Sequence, residues 1–419
     1  MLRAPMVDRP PVPRSHLAFA LGVICLANFL NYLDRQLVSA LEHELRGHFT
    51  LTKAEFGALW SAFTLGYMVC APLVGWAAVR WRRTSMFAVC VLVWSLATIG
   101  TGLADSKTAL YISRFLIGVG EAGCLVIGPT LIVDLVPERY RGRALSVFYL
   151  GMPLGGTAGY LLGGASATYL GGWHTAFFLG GGPGLLVAGL LLLVREPVRV
   201  APVEAGHGGL RDYLGLLRNK TLMLIIFAQA FAVMILVPLL HFGIGFFEHD
   251  RSMTKMQAST ALGVIGLIGG ILGMLLAGFL GDRLARRTRG AYALLAACAY
   301  ALALPALWIG FTSRTPAVIL ASMLVGATGL FLCMPAVNTQ IANVVRPDQR
   351  AMAYALAVFV LHFLGDMAAP PAFGAAAEWL GSTGDTFVRF VGVLVLAASC
   401  CFVAARTAKH DVARANVEP

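Results

Sequence analysis

The chain has 419 residues, of which 58% are hydrophobic and only 13% are charged, and its formal net charge is +11. Soluble domains carry about 25% charged residues, so composition excludes a water-soluble fold, whereas a lipid bilayer can solvate this apolar surface. The Lys and Arg residues lie in short clusters between apolar runs, which indicates a membrane protein and argues against nucleic acid as a partner.

Twelve apolar runs follow one another, each with the length of about 20 residues or more that a membrane span needs. They cover residues 16–40, 54–79, 84–104, 108–135, 142–165, 173–194, 221–247, 257–282, 290–312, 315–345, 350–376 and 385–406. The pattern predicts an all-α membrane protein. Its predicted parts are an N-terminal tail (1–15), a six-helix bundle (16–194), a Pro- and Gly-rich linker (195–220), a second six-helix bundle (221–406) and a C-terminal tail (407–419).

The distribution of cations predicts the orientation. Of the 32 Lys and Arg residues, 23 lie in the two tails and in every second loop. By the positive-inside rule these segments are cytoplasmic, so both termini are expected inside a multi-pass protein of the cytoplasmic (inner or plasma) membrane.

The two halves resemble each other at an offset of about 205 residues. GWAAVRWRRT (75–84) matches GFLGDRLARR (278–287), and RFLIGVGEA (114–122) matches SMLVGATGL (322–330). Because six spans is an even number, the halves form a parallel repeat about an axis along the membrane normal. We therefore expect a substrate site between the halves and alternating access by rocking of one half against the other.

Comparing the two halves distinguishes residues that the fold requires from residues that are candidates for function. Gly118 corresponds to Gly326, which indicates close helix packing in both halves. Arg114 corresponds to Ser322, and Glu121 corresponds to a glycine. The fold does not require these two charges, which favours a functional role for them.

These segments resemble the major facilitator superfamily. The stretch 278–287 fits the loop motif Gly-x-x-x-Asp-Arg-x-x-Arg-Arg, whereas Val79 replaces the Asp in the first-half copy. RFLIGVGEA fits the fourth-span motif Arg-x-x-x-Gly-x-Gly, and GMPLGGTAGYLLGG (151–164) is similar to the glycine-rich fifth-span motif. The resemblance covers nearly the whole chain and implies the major facilitator fold, with 12 transmembrane helices in two pseudo-symmetric six-helix bundles.

Within the superfamily, the sequence most resembles the Spinster family. The resemblance is carried by NYLDR (31–35), the stretch 137–156, HFGIGFFEHDRSM (241–253) and HFLGD (362–366). It implies a proton-linked exporter of lysolipids or sphingoid phosphates. NYLDR and GVGEA also occur in symporters of organic anions and sugar acids, so a proton-coupled symporter of that kind is the alternative.

Asp34, Arg114 and Glu121 are the strongest candidates for the mechanism. A charge within a span costs about 2.5 kcal/mol or more, so it usually has a partner and a function. The resemblance maps the proton-coupling pair onto Asp34 and Glu121, with Arg114 as their partner. A carboxylate whose contact with Arg114 depends on conformation would exchange a proton as access alternates. The alternative is a static ion pair that holds the bundle together.

Arg114, Arg35 and His241 are candidate substrate contacts. Arg35 either extends to the outer membrane interface or meets an anionic head group. His241 aligns with Asp34 in the repeat, and it is either a satisfied polar residue of the bundle or a group that titrates near neutral pH. A further pair in the eleventh span, His362–Asp366, is either structural or part of a gate.

The inner loops predict a gate. The candidate gating residues are Gly75, Arg80, Arg83, Asp134, Arg141, Gly278, Asp282, Arg283, Arg286 and Arg287. Because Val79 replaces the motif Asp, we expect Asp134 to pair with Arg80 or Arg143 and the first-half clamp to be the weaker one. Positive-inside topology by itself accounts for part of this pattern.

Other protein classes fit less well. The sequence has no Gly-x-Ser-x-Gly, His-Glu-x-x-His or P-loop motif, which argues against an enzyme or an ATP-driven pump. The eight cysteines lie in apolar runs without metal-ligand spacing. We expect a monomeric, proton-coupled secondary transporter of an amphipathic lysolipid or sphingoid phosphate. Protons are its coupling ion, bilayer lipids surround it, and no metal or other cofactor is expected.

Overall fold

A computed structural model of the protein describes residues 13–136, 144, 147–196, 215–346 and 349–415. The first half contains α1 (Arg14–Ala40), α2 (Glu42–Phe49), α3 (Lys53–Arg80), α4 (Arg83–Gly102), α5 (Lys107–Leu135), α6 (Gly151–Tyr169) and α7 (Trp173–Leu193). The second half contains α8 (Lys220–Gly245), α9 (Lys255–Ala285), α10 (Ala291–Thr312), α11 (Pro316–Val344), α12 (Arg350–Leu361), α13 (Ala369–Leu380), α14 (Thr383–Phe390) and α15 (Val393–Ala415).

Eleven segments of the described chain are long and apolar enough to cross a membrane. Helix α6, which has 19 residues and is rich in glycine, is not among these eleven. A Cβ atom at Gly155 or Gly159 would meet the carbonyl oxygen of Phe29 or Leu33 at 2.3 Å. Glycine therefore lets α6 lie directly on α1. The all-helical fold is as predicted, and the helix count is consistent with twelve spans.

Several boundaries differ from those predicted. The connection between the first two spans contains the short helix α2, which begins two residues after α1 ends. The predicted span 350–376 is α12, a π-helical turn (His362–Ala368) and α13. The predicted C-terminal tail (407–419) is helical through Ala415, because α15 continues. Part of the predicted span 142–165 lies outside the described residues.

The second span of each half begins with the same cap. Thr52 accepts a hydrogen bond from the backbone N–H of Glu55, whose side chain returns a hydrogen bond to the Thr52 backbone. Thr254 and Gln257 form the same reciprocal pair at the start of α9. Such capping boxes satisfy two otherwise unpaired backbone groups, so each helix starts at a fixed residue.

The two halves meet at the end of the bundle that carries α2, which we call the α2 end. The opposite end carries the arginine-rich turns 80–83 and 283–289 and is called the basic end. At the α2 end, a Cβ atom on Gly57 of α3 would lie 2.5 Å from the backbone of Pro370 in α13. The backbone N–H of Lys53 donates to Glu378, and its Nζ donates to Thr383 Oγ1 at 2.6 Å. These contacts close the α2 end.

Candidate functional site

The predicted polar residues of the first half lie inside the bundle, where α1, α4 and α5 meet. Asp34 of α1 is 1% exposed, and Arg114 and Glu121 of α5 are fully buried. Asp34 Oδ2 accepts a hydrogen bond from the hydroxyl of Thr98 in α4. The three charges are close enough to interact electrostatically and are shielded from lipid.

Glu121 pairs with Arg35 of α1. Arg35 Nε donates to Glu121 Oε2 at 2.6 Å. The Arg35 guanidinium also lies 5.0, 5.2 and 5.6 Å from the ring centroids of Tyr32, Phe63 and Tyr67, where cation–π attraction helps to hold it. Arg35 thus points into the bundle in this conformation, which does not fit the first of its two predicted alternatives, extension to the outer interface.

Arg114 lies against Phe63, with its guanidinium carbon 5.4 Å from the ring centroid. None of its three nitrogens has a hydrogen-bond partner among the described residues. Asp34 Oδ1 and Glu121 Oε1 are likewise buried and unpaired there. In this conformation Arg35, rather than Arg114, is the hydrogen-bonded partner of Glu121. Arg114 balances the two carboxylates only through longer-range attraction, so the cluster has unused hydrogen-bonding capacity.

A cavity of about 270 Å³ lies between the halves, with Arg35 in its wall. The second half contributes the titratable lining residues His241, His362 and Asp366. The other lining residues are mainly apolar and aromatic, with Trp60 and Tyr67 from α3 among them. The cavity therefore combines apolar walls with one cationic group on the first half and a carboxylate on the second.

His241 of α8 connects the two halves at the cavity wall. Its Nδ1 forms a hydrogen bond with the hydroxyl of Ser39 in α1, and its ring centroid lies 4.2 Å from that of Trp60 in α3. Its Nε2 is buried and has no partner in the described part of the chain. Only one of the two ring nitrogens of His241 is therefore hydrogen-bonded within the bundle, and the other is available for a ligand or water.

His362 and Asp366 form a hydrogen-bonded pair on the π-helical turn between α12 and α13. The His362 ring centroid lies 5.6 Å from that of Tyr67, which also contacts Arg35. π-helical turns occur frequently at functional sites. The pair lines the cavity from the second half, where a ligand in the cavity would meet it.

The comparison with known proteins agrees with this architecture. The profile of the Major Facilitator Superfamily matches residues 24–370. The chain is 28% identical over 376 residues to protein spinster of Drosophila melanogaster, covering 86% of this chain and 62% of that protein. It is 30% identical over 384 residues to the sphingosine-1-phosphate transporter SPNS2 of Mus musculus, covering 84% of this chain and 68% of that protein.

The structure also superposes on the crystal structure of a bacterial homolog to the human lysosomal transporter Spinster, in an inward-facing and unoccupied conformation. The TM-score is 0.84 and the identity 22%, over 96% of this chain and 99% of that chain. The chain belongs to the Spinster family of the major facilitator superfamily. This Spinster-family protein is a multi-pass membrane transporter and not an enzyme, as the sequence predicted. It spans less than two thirds of the length of the Drosophila relative.

At the basic end of this Spinster-family chain, Arg83 connects three segments. Its Nη1 donates to Asp134 Oδ2 at 2.6 Å, and its Nε donates to Glu196 Oε1 at 3.0 Å. Glu196 Oε2 also accepts hydrogen bonds from the backbone N–H and the hydroxyl of Thr84, both at 3.0 Å. We expected Asp134 to pair with Arg80 or Arg143, whereas its pairing with Arg83 was not anticipated.

Glu196 supplies a second carboxylate to Arg83, which lies four residues along the chain from Val79, the residue that replaces the motif Asp. Burial raises the pKa of its carboxyl, but the hydrogen bonds from Thr84 and Arg83 outweigh burial and hold the pKa below its ordinary value. Glu196 is therefore ionised at neutral pH. It ties the end of α7 to the start of α4.

The other predicted gating residues are less constrained. The nearest neighbour of a Cβ atom on Gly75 would be Val126 at 3.9 Å, and Gly278 faces open space. Among the predicted gating residues, Arg80, Arg283, Arg286 and Arg287 are exposed. Arg141 and the side chain of Asp282 lie outside what the structure describes, so their gating role stays a prediction.

Sequence reasoning missed two acidic residues, one at each end of the bundle. Glu196 and Glu42 each stand two residues beyond the end of a predicted span. The signal in each case is an acidic residue shortly after an apolar run. Neither position shows from sequence alone which helix it will contact.

Proposed function

We propose that this protein is a proton-coupled secondary active transporter that moves an amphipathic lysolipid or sphingoid-phosphate-like lipid by alternating access. The supporting observation is the cavity between the halves, whose walls are apolar except for a few charged or titratable groups that include Arg35. Apolar walls suit an acyl or sphingoid chain, and a guanidinium suits a phosphate. One relative, SPNS2 of Mus musculus, is a sphingosine-1-phosphate transporter by name.

The Arg35–Glu121 pair supplies a coupling mechanism. Arg35 lines the cavity, whereas Glu121 does not. Protonation of Glu121 removes the charge that holds Arg35, which frees the guanidinium for an anionic head group. Conversely, an anion that binds Arg35 leaves Glu121 without its closest counter-ion and favours its protonation. Arg114 and Asp34 set the electrostatic background in which this exchange occurs.

We further propose that both termini are cytoplasmic and that the protein lies in the cytoplasmic membrane, because the arginine-rich turns gather at the basic end. The closed α2 end then faces outward, and the structure represents an inward-facing state. Protons are the coupling ion, the monomer is the functional unit, and no metal or other cofactor takes part.

A small organic anion or sugar acid is the second candidate substrate. The cavity volume of about 270 Å³ lies at the lower limit of ordinary ligand pockets, about 300–1,000 Å³, which favours a compact molecule. Arg35 and the His362–Asp366 pair could then bind a carboxylate and hydroxyl groups from opposite halves.

Reconstitution of the purified protein in liposomes tests both candidates. Uptake or release of a lysolipid and sphingoid-phosphate panel and of a sugar-acid panel is measured with and without a pH gradient. We expect gradient-dependent movement of the lipids only. Movement of sugar acids alone would select the second candidate, and movement of any substrate at the same rate without a gradient would contradict proton coupling.

A further inference from the structure

Glu42 is a buried carboxylic acid that has no part in the mechanism above. It is the first residue of α2 and is only 5% exposed. One carboxyl oxygen lies 3.5 Å from Nη1 of Arg46, one turn further along the same helix. The other oxygen, Oε2, is buried and has no hydrogen-bond partner among the described residues. An ionised carboxylate in such a place is unfavourable unless something neutralises it.

The Glu42 carboxyl lies on the boundary between the two halves. A Cβ atom built on Gly245 of α8 would lie 2.8 Å from Glu42 Oε2, so the carboxyl rests on the backbone of the second half. Helix α2 itself belongs to the first half. The burial of this group therefore depends on closure of the α2 end.

Neighbouring contacts cross the same boundary. Lys255 Nζ at the start of α9 forms an ion pair with Glu44 of α2. The rings of His43 and His249 lie 5.5 Å apart, one on each half. The two residues that follow Glu42 in α2 therefore both contact the second half.

The charged groups around Glu42 come from four elements. Arg46 on α2, Lys53 on α3 and Lys255 on α9 favour its ionised form, and Glu248 on the π-helical turn after α8 opposes it. Burial is the largest influence and outweighs the cations, so that the pKa of Glu42 is raised to about 7.

We infer that Glu42 is a second proton-binding site of this transporter, which takes up a proton when the α2 end closes and releases it when that end opens. The inference rests on the alternating access proposed above. Opening separates α2 from the backbone of α8 and admits water to the carboxyl. Hydration restores the ordinary acidity of the group, and the proton leaves on that side of the membrane.

The direction of the pH effect follows from linkage. The closed α2 end binds one more proton than the open end at pH values between the ordinary pKa of 4.5 and the raised value of about 7. Lowering the pH in this window therefore favours closure. The ratio of closed to open molecules rises by up to about tenfold for each unit of pH.

Hydrogen–deuterium exchange of the full chain in nanodiscs, without substrate, measures this ratio. Peptides from residues 53–64 and 369–380 report opening of the α2 end, and their rates are corrected for the intrinsic pH dependence of exchange. We expect protection of the wild-type peptides to increase from pH 8 to pH 5. Glu42→Gln, which is neutral and nearly isosteric, should be protected throughout with no pH slope.

Glu44→Gln is the matched control, because it removes the neighbouring ion pair to Lys255 but leaves Glu42 in place. It should lower protection at every pH and keep the slope. A wild-type slope in Glu42→Gln would overturn the inference. A slope lost in His43→Gln or His249→Gln but kept in Glu42→Gln would assign the proton to the imidazole pair and also overturn it. Because no substrate is present, these results are independent of whether lipid transport is found.

Discussion

The two halves of this transporter share a helical plan but differ in where they hold charge. Helices α5 and α11 are equivalent in the repeat, and both use a glycine for close packing, at Gly118 and Gly326. Only α5 carries buried charges, Arg114 and Glu121, whereas the equivalent position to Arg114 is Ser322. Packing at this pair of helices is therefore common to both halves, whereas the buried charges belong to α5 and not to α11.

The second half places its titratable groups differently. His241, His362 and Asp366 all line the cavity, and none lies in an internal cluster like that of Arg114 and Glu121. Of the charged residues of the first half, Arg35 lines the cavity, whereas Asp34, Arg114 and Glu121 are buried outside its lining. The charged groups that face the cavity therefore come from both halves, and the proton exchange proposed for Glu121 belongs to the first half.

The largest expected effect comes from neutralising the carboxylate of the first half. Glu121→Gln keeps the shape but cannot exchange a proton, so substrate accumulation driven by a pH gradient should fall to the level of protein-free liposomes. Exchange of substrate across the membrane without a gradient should persist. His241→Gln is the comparison in the second half and should retain gradient-driven accumulation. Equal, undiminished accumulation in both variants would remove the proposed division between the halves.

The second prediction concerns stability. Arg114→Gln leaves two buried carboxylates without this cation, which should cost about 3–5 kcal/mol. Ser322→Ala at the equivalent position should change stability by about 0.5 kcal/mol or less, since its hydroxyl bonds only to carbonyls of its own helix. Thermal unfolding in detergent at pH 7 compares the two. Similar melting temperatures would mean that Arg114 is dispensable for the bundle.

The third prediction compares the two packing glycines. A Cβ atom at Gly118 would lie 2.0 Å from the backbone oxygen of Phe63, whereas at Gly326 it would meet the flexible side chain of Leu307 at 2.5 Å. Gly118→Ala should therefore destabilise the protein by about 3 kcal/mol and Gly326→Ala by about 1 kcal/mol. Gly278→Ala, which faces open space, is the control and should be nearly neutral. The reverse order in thermal unfolding would contradict this account.

The sequence predicted the fold well because apolar run length and the alternation of cations are properties of each segment by itself. Gly118 and the buried charges of α5 were also identifiable, because the repeat shows which positions the scaffold needs. The pairing of Arg35 with Glu121 was not, since spacing along α5 places Arg114 on the same face but says nothing about the rotation of α1.

The same reason explains the missed acidic residues. Glu42 became buried because α2 is a helix that closes against α8, and a short polar segment between two spans gives no signal for that. The π-helical turn at His362–Ala368 was equally unpredictable, because one extra residue in a turn leaves the apolar pattern of the span intact.

The smallest expected effect lies at the basic end, where Glu196 binds Arg83 and Thr84. Because the pKa of Glu196 is held below its ordinary value, its contribution to stability is fully present above the unfolded pKa of 4.5. That contribution is lost as the pH falls through the lower, folded value. Glu196→Gln should cost about 1 kcal/mol at pH 7, since the group is partly exposed and solvent screens its ion pair with Arg83.

The measurement is thermal unfolding of wild type and Glu196→Gln between pH 3 and pH 7. The two melting temperatures should differ at neutral pH and converge on acidification. Protonation at low pH removes the negative charge of Glu196 from the wild type, whereas the substitution removes that charge at every pH. Glu378→Gln serves as the control, since Glu378 acts at the α2 end by accepting from the Lys53 backbone. If Glu196→Gln melts like the wild type at pH 7, Asp134 alone is sufficient to hold Arg83, and the first-half clamp does not depend on the end of α7.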